Sequence, residues 1–155
     1  MNGSKVKYNT KTAIQPEIFS HLQNCSSDFT PPLDEKVDIG EYSKKIFEKS
    51  VTFEAWVDKS LIGLVAAYFN NTEDKLCYIT NVSVTNNYKG LGIASELLKS
   101  CMNYAIQNNF KEIILEVSQS NNGAIHLYEK QGFKNYGNKN DLIIMKLELI
   151  IHQIF

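Results

Sequence analysis

Ile79-Thr80-Asn81-Val82-Ser83-Val84-Thr85-Asn86-Asn87-Tyr88-Lys89-Gly90-Leu91-Gly92-Ile93-Ala94-Ser95 is the stretch that decides the fold, because its pattern passes from strand to tight loop to helix. Residues 76–84 are rich in aromatic and β-branched side chains, which predicts a strand. Apolar residues recur at helical spacing over 92–108, and Gly90 and Gly92 fall where that helix opens. The first amides of a helix have no internal partner and carry the positive end of its dipole. The stretch therefore predicts a loop in which a phosphate group can approach the backbone.

Other interpretations of this loop differ in what they require. A nucleoside-triphosphate loop needs Lys and then Ser or Thr after its second glycine, but Ile93 and Ala94 stand there. A dinucleotide fingerprint would have Ser95 in place of its third glycine, and the preceding strand belongs to a meander rather than to a parallel unit. Glycines that only make a tight connection are the commonest case, and the segment alone leaves this reading open.

Working outward, residue periodicity predicts the element order βααβββαβαβ, with an extra strand near 134–137. Asp38 is the expected N-cap of the second helix, whose apolar stripe is expected to comprise Ile39, Tyr42, Ile46 and Phe47. Two prolines predict a loop over 28–33. The expected strands are near 5–8, 52–57, 61–69, 76–84, 113–117 and 142–150, and the expected helices near 14–25, 39–47, 92–108 and 123–130.

The composition predicts one globular domain over residues 1–155. The 16 basic and 17 acidic side chains leave a formal net charge of −1, so without a dense basic run we expect no nucleic-acid partner. The start of the chain is polar, and apolar runs are too short to span a bilayer. We therefore expect a cytoplasmic protein with no membrane partner.

Cysteine and histidine spacing predicts neither a metal site nor a disulfide framework. Cys25, Cys77 and Cys101 form no C-x-x-C pair, and Cys101 shares the apolar stripe of its helix, which is typical of a small buried residue. The three histidines have no partner at metal-ligand spacing and are expected at the surface. They are His21, His126 and His152.

A second segment, Asn121-Asn122-Gly123-Ala124-Ile125-His126-Leu127-Tyr128-Glu129-Lys130-Gln131-Gly132-Phe133, predicts a short helix that ends at Gly-Phe. Taken alone, its tyrosine indicates core packing and Asn121 a helix cap.

Together the two segments resemble the GNAT family of N-acetyltransferases. Lys89-Gly90-Leu91-Gly92-Ile93-Ala94 is similar to the family's coenzyme A pyrophosphate motif, in which Arg or Gln is followed by two free positions, Gly, one free position, and Gly or Ala. Lys89 replaces the usual Arg or Gln. Residues 121–133 resemble the second motif, in which Asn is followed by Ala, by a Leu-Tyr pair and by Gly-Phe. The resemblance covers roughly 51–149.

This resemblance implies an α/β (α+β) fold with a mixed, mostly antiparallel central sheet of six or seven strands and about four flanking helices. A V-shaped cofactor cleft is expected where the strands carrying Val84 and Val117 part. The implied function is acetyl transfer from acetyl-CoA, a cosubstrate, to an amine by direct ternary-complex transfer without a metal. A small-molecule amine is favoured. The alternatives are a non-catalytic acyl-CoA sensor, a protein N-terminal or lysine acetyltransferase, and a transferase of longer acyl chains.

Residue roles follow from the same resemblance. Tyr128 would protonate the departing thiolate, and a backbone amide near Val84 would stabilise the carbonyl oxygen. Several family members place a Glu base where this chain has Tyr78, so Tyr78, Glu54 or a water relay is the expected base, whereas Glu116 is expected to be structural. The implied cofactor-binding residues are Val82, Ser83, Val84, Lys89, Gly90, Leu91, Gly92, Ile93, Ala94, Ser95 and Asn121.

The acceptor side is the least determined. The resemblance places its wall at roughly 29–49 and the start of the third strand. Asp34, Glu35 and Asp38 could form an acidic mouth for a cationic amine, or a solvated polar loop. The apolar tail at 150–155 could pack on a second subunit in a homodimer.

Overall fold

The computed structural model describes residues 5–149. Within that range, strands and helices follow the order predicted from periodicity, including the extra strand before the last one. A short helix, α2, begins at the last residue of the 28–33 segment that was expected to be a loop and extends beyond it. The bounds are β1 (Lys7–Thr10), α1 (Gln15–Cys25), α2 (Leu33–Lys36), α3 (Ile39–Lys49), β2 (Val51–Val57), β3 (Ser60–Asn71), β4 (Leu76–Val84), α4 (Ile93–Gln107), β5 (Glu112–Ser118), α5 (Asn122–Lys130), β6 (Lys134–Lys139) and β7 (Leu142–Glu148).

The strands form one sheet in the order β1-β2-β3-β4-β5-β7-β6. Every neighbouring pair is antiparallel except β4 and β5, which are parallel. The expectation of a mixed, mostly antiparallel sheet is therefore confirmed.

Each face of the sheet is covered by its own apolar core. Helices α4 and α5 pack on one face through residues such as Leu97, Leu98 and Tyr128. Helices α1 to α3 pack on the other through Leu22, Ile46 and their neighbours. We refer to these as the α4–α5 face and the α1–α3 face. Strand β2 lies between them with all its residues buried.

The parallel strands separate soon after they pair. Backbone pairing of β4 with β5 covers only Leu76 to Tyr78 against Glu112 to Ile114. Beyond it, β4 runs on to Val84 and β5 to Ser118. The sheet thus opens into the expected V-shaped cleft between its two halves.

A β-bulge at Thr80 reverses the side-chain alternation of β4. Ile79 lies opposite Ala67, but the next pair is Asn81 with Ala66. Before the bulge, Ile79 belongs to the core of the α4–α5 face; after it, Asn81 lies on the side of Ala66, which belongs to the other core. The bulge therefore turns Asn81 and Ser83 toward α1 and α3.

Two sequence predictions about single residues are wrong. His21 was expected at the surface but is buried, with its ring hydrogen bonded at 3.1 Å to the Leu61 carbonyl and at 2.9 Å to the Ser83 hydroxyl. Helical spacing cannot reveal partners that lie on other strands. Phe47, counted on the apolar stripe of α3, is 47% exposed, because Ile46 takes the inward position.

Other predictions agree with the structure. His126 is exposed, the three cysteines are buried and unbridged, and Asp38 caps α3 by accepting from the Glu41 amide.

Among the helices of residues 5–149, none is long and apolar enough to cross a membrane. His152 and the tail at 150–155 lie outside the described residues.

Candidate active site

A cavity of about 870 Å³ occupies the opening between β4 and β5. It brings together nearly all the residues that the sequence singled out, although they come from three separate parts of the chain: β4, the glycine loop with the start of α4, and α5 with its cap. Leu91 is the exception, because its side chain is 67% exposed and points away from the lining. The predicted residues that line the cavity are Tyr78, Val82, Ser83, Val84, Lys89, Gly90, Gly92, Ile93, Ala94, Ser95, Asn121 and Tyr128.

The glycine loop fits a phosphate group. Gly90 and Gly92 have φ values of +79° and +80°, which side chains other than glycine rarely adopt. A Cβ on either residue would meet no protein atom within 4 Å, so the space above them is open. Gly92 is the N-cap of α4 and offers no capping side chain. The first amides of this helix are therefore free to bind an anion.

Close packing holds this helix end against the sheet. A Cβ on Gly63 of β3 would lie 3.0 Å from Cγ2 of Ile93 and 3.2 Å from Cδ1 of Leu97. Only glycine lets β3 and the first turn of α4 approach so closely. The packing fixes the loop beside the end of β4, where Val84 pairs with Gly63.

Lys89 is joined to the opposite wall of the cleft. Its Nζ lies 2.9 Å from a carboxylate oxygen of Asp28, which precedes α2. Both side chains are partly exposed, so the pair adds little to stability. It does place a positive charge at the mouth of the glycine loop and links that loop to the 28–36 segment.

Two polar contacts order the region around α5. Asn121 caps this helix, because its Oδ1 accepts from the Ala124 amide at 3.1 Å. Gln131, just after the helix, donates to the Ser95 hydroxyl at 2.6 Å. The cap uses only the Oδ1 atom of Asn121, and the residue also lines the cavity.

Tyr128 reaches the cavity from the α4–α5 face. Its ring is 7% exposed and packs on Phe133 with the ring centroids 5.9 Å apart. Burial raises the pKa of the Tyr128 phenol above its ordinary value. The hydroxyl therefore stays protonated at neutral pH and can act as a hydrogen-bond donor.

Tyr78 and Glu116 lie on the other side of the cavity. Burial, followed by the charge of Glu116, raises the pKa of Tyr78 to about 12. The phenol is therefore neutral in the working range and is a poor base by itself. Glu116 also lines the cavity, and its carboxylate lies 3.8 Å from the Nζ of Lys139. A carboxylate thus stands beside the residue found at the family's usual base position.

Glu54, the other carboxylate considered as a base, is wrongly placed for that role. It is fully buried and accepts hydrogen bonds from the amides of Thr12 and Ala13 and from the side chains of Thr12, Thr52 and Trp56. Burial raises the pKa of Glu54, but these donors outweigh it and hold the pKa below its ordinary value. The residue fastens the start of α1 to β2 and lies outside the cavity lining.

Residues from the region expected to wall the acceptor pocket line the cavity, while their role as that wall stays a prediction. Phe29, Thr30, Leu33, Val37 and Tyr42 line the cavity from the 29–49 region. The acidic mouth is not seen: Asp34, Glu35 and Asp38 are exposed and lie outside the lining, whereas Lys36 belongs to it. Asp38 is used to cap α3.

Sequence reasoning missed several polar residues of the site. The Tyr42 hydroxyl donates to the Thr80 carbonyl at 2.8 Å and so fastens α3 to the bulge. Asn81 is buried and lines the cavity. The bulge that orients them has no signal in the alternation of β4, so these contacts became visible only in the structure.

Comparison with known proteins agrees with the geometry of the cleft. A family model described as "Acetyltransferase (GNAT) family" matches residues 16–133, which is more than half of the chain. The chain belongs to this GNAT family. N-acetylaspartate synthetase of Xenopus tropicalis is 34% identical over 100 residues, which are 64% of this chain and 36% of that protein. The chain spans about a third to a half of the length of the curated relatives that it matches.

Solved structures share the fold at low identity. The ribosomal-protein-S18-alanine N-acetyltransferase of Escherichia coli has a TM-score of 0.76 and 19% identity, with 97% of this chain and 99% of that chain covered. The PaiA N-acetyltransferase of Thermoplasma acidophilum, solved in complex with coenzyme A, has a TM-score of 0.76 and 15% identity, with 93% and 99% covered. These likenesses support the GNAT fold assigned above.

Proposed function

We propose that this GNAT protein is an acetyl-CoA-dependent N-acetyltransferase that acetylates a small-molecule amine by direct transfer in a ternary complex. The proposal rests on one observation: three features meet in one cleft. They are an open glycine loop at the start of a helix, two strands that separate, and a buried tyrosine. The first feature suits a pyrophosphate, the second suits an extended arm, and the third suits a leaving group that takes up a proton.

The coenzyme is assigned to the half of the cleft next to α4 and α5. The amides from Gly90 to Ser95 would hold its pyrophosphate, with Lys89 close by. The unpaired edge of β4 from Val82 to Val84 would pair with the pantetheine arm like an added strand, and the Asn121 side-chain NH₂ would donate to the same arm. Acetyl-CoA supplies an acetyl group activated as a thioester.

The chain's own groups would stabilise the charge that moves during transfer. A β4 backbone amide near Val84 donates to the oxygen on which charge develops. The Tyr128 phenol, kept neutral by burial, donates a proton to the departing sulfur. No enzyme nucleophile is required, because the amine attacks directly.

An ammonium acceptor must lose a proton before attack, and the Tyr78–Glu116 pair offers a route for it. We assign the proton to the Glu116 carboxylate, reached directly or through the neutral Tyr78 hydroxyl. This assignment follows from the pKa of about 12 at Tyr78, which disfavours a phenolate base. It gives Glu116, expected from sequence to be structural, a part in the chemistry.

The acceptor class is inferred from the shape of the site. Phe29, Leu33 and Val37 form an apolar wall beside Lys36, which suits a compact amine that also carries an anionic group. One relative is named for a small acetylated product, N-acetylaspartate, while a structural neighbour is named for an alanine of a ribosomal protein. A protein acceptor is the second candidate because of that neighbour.

The test is thiol release from acetyl-CoA with a panel of amino acids, amino sugars, polyamines and peptides, run with wild type and Tyr128→Phe. We expect turnover with a small amine and a kcat about 100-fold lower in the variant, in the range of general acid catalysis. Tight coenzyme binding with no turnover on any amine would instead identify an acyl-CoA sensor. Turnover with peptides alone would indicate that the acceptor amine belongs to a protein.

A further inference from the structure

Asn81 is a buried polar residue of the cleft with half of its side-chain amide unpaired. It is 3% exposed and lines the cavity. One terminus of the amide contacts the Ser83 hydroxyl at 2.8 Å. The other terminus is buried and has no hydrogen-bond partner among residues 5–149. Because buried polar atoms are nearly always paired, an unpaired terminus in the wall of a cleft indicates a contact made with a ligand.

The position of Asn81 indicates which half of the cleft this residue faces. The bulge at Thr80 turns it to the α1–α3 face, where Tyr42 is bonded to the bulge itself. The glycine loop and Tyr128 belong to the opposite face. Asn81 therefore faces the side of the cleft assigned to the acceptor rather than the side assigned to the coenzyme.

A chain of hydrogen bonds determines which terminus of the amide contacts Ser83 and which is left unpaired. His21 Nδ1 lies 3.1 Å from the Leu61 carbonyl, which can only accept, so Nδ1 carries a proton. Burial lowers the pKa of His21 to about 4, so the ring is neutral and Nε2 is an acceptor. The Ser83 hydroxyl, 2.9 Å from Nε2, must therefore donate to it. The Cys25 thiol, at 3.8 Å, is a much weaker donor to the same nitrogen.

Ser83 has one proton, and the donation to His21 uses it. Its oxygen can then only accept from Asn81, so the amide NH₂ group must face Ser83. The two termini of an amide have nearly the same shape, and their assignment rests on such donor and acceptor matching. It follows that the carbonyl oxygen is the unpaired terminus of this cleft-lining residue.

We propose that the Asn81 carbonyl oxygen accepts an N–H bond of the acceptor amine and that Ser83 and His21 hold the amide in this orientation. The proposal rests on the proposed function, and it names a residue that orients the acceptor. An amine nitrogen that donates one N–H bond to Asn81 still has its lone pair available to attack the thioester. The buried oxygen gains the partner that it lacks in the free protein.

The orientation can be tested without any activity. Nitrogen-15 NMR of the His21 ring distinguishes its two neutral tautomers and its cation. We expect the neutral Nδ1–H tautomer between pH 5 and 8, and the same tautomer with a weakened Nε2 contact in Ser83→Ala. A neutral Nε2–H tautomer or a cation at pH 7 would overturn the assignment of the Asn81 amide.

The role of Asn81 is tested by kinetics with the amine found for the wild type. For Asn81→Ala we expect the acceptor KM to rise about 10-fold, as for loss of one hydrogen bond to a charged or polar group. The dissociation constant for coenzyme A should stay within about twofold. Ser83→Ala keeps Asn81 but releases its amide, so it should raise the acceptor KM by a smaller factor.

Each alternative result has a distinct meaning. A weaker coenzyme affinity with an unchanged acceptor KM would assign Asn81 to the pantetheine arm and overturn the proposal. Equal loss of both affinities together with a lower melting temperature would show a structural role only, which also overturns it. If the wild type acetylates no amine, the proposed function and the acceptor role fall together, and the His21 spectrum still decides the orientation.

Discussion

The proposed proton pathway depends on the carboxylate of Glu116. It lines the cleft and raises the pKa of its neighbour Tyr78. Its ion-pair partner is Lys139, whose side chain is 64% exposed, so the ion pair contributes little. A carboxylate that is weakly engaged by the protein and faces a ligand cleft is free to accept a proton.

We expect Glu116→Gln to lower kcat/KM about 100-fold at neutral pH, because the acceptor ammonium would lose its base. The deficit should shrink as the pH rises, since an amine that is already neutral needs no base. The measurement is the pH profile of kcat/KM from thiol release.

Lys139→Met is the matched control, because it breaks the same ion pair and keeps the carboxylate. Its profile should follow that of the wild type. A loss in Lys139→Met as large as that in Glu116→Gln, or a deficit that is constant with pH, would show that Glu116 acts only through the ion pair.

At the scale of elements, the start of α4 combines a left-handed glycine turn with an open anion site. Gly92 has a φ of +80°, and a Cβ there would touch no protein atom within 4 Å. A side chain at this position would therefore cost backbone strain, and it would also project into the space proposed for the pyrophosphate.

These two effects can be separated with Gly92→Ala and Gly92→Asn. Alanine should cost about 1 kcal/mol of unfolding free energy, whereas asparagine tolerates the left-handed region better and should cost less. Both should weaken coenzyme binding at least about 10-fold, because both fill the cradle. Chemical denaturation and calorimetric titration with coenzyme A measure the two quantities. Recovery of coenzyme affinity in Gly92→Asn would show that strain, and not occupancy of the cradle, caused the loss.

The elements that the sequence predicts well are those defined by periodicity or by a named motif. Helix α4 and the glycine loop are examples, since both rest on contiguous residues. The bulge at Thr80 was not predictable, because one extra residue in a strand leaves its composition unchanged. The environments of His21 and Asn81 depend on that bulge, and the burial of Glu54 depends on donors some forty positions away. Contacts between distant segments are the part that a single sequence leaves undetermined.

For the whole molecule, the two faces of the sheet carry different parts of the proposed reaction. Tyr128 and the glycine loop belong to the α4–α5 face, whereas Asn81 and Tyr42 lie toward the α1–α3 face. The splay of β4 from β5 joins the two sides, so that two ligands can meet from opposite directions. His21 lies inside the α1–α3 half and links helix α1 to β3 and β4.

The burial of His21 makes the stability of the whole fold depend on pH. Burial lowers its pKa from 6.5 to about 4, although hydrogen bonds to backbone groups of Leu61 and Ser83 act in the opposite sense. Below pH 6.5 the unfolded chain binds a proton that the folded chain excludes. The free energy of unfolding should therefore fall as the pH drops from 6.5 to about 4, by about 3 kcal/mol in total at about 1.4 kcal/mol per pH unit.

Urea unfolding at a series of pH values between 7 and 4.5 measures this slope in the wild type, His21→Gln and His126→Gln. His21→Gln should be less stable at pH 7 because it disturbs the bonds to Leu61 and Ser83, yet it should lose most of the slope. His126 is exposed, so its replacement should leave the slope unchanged and serves as the control. Between pH 7 and 5 few carboxylates titrate, and the pKa of Glu54 is held below its ordinary value, so the slope over that part of the series belongs to histidine. An undiminished slope in His21→Gln would mean that the ring is protonated in the folded protein, and the neutral Nδ1–H form on which the orientation of Asn81 depends would be wrong.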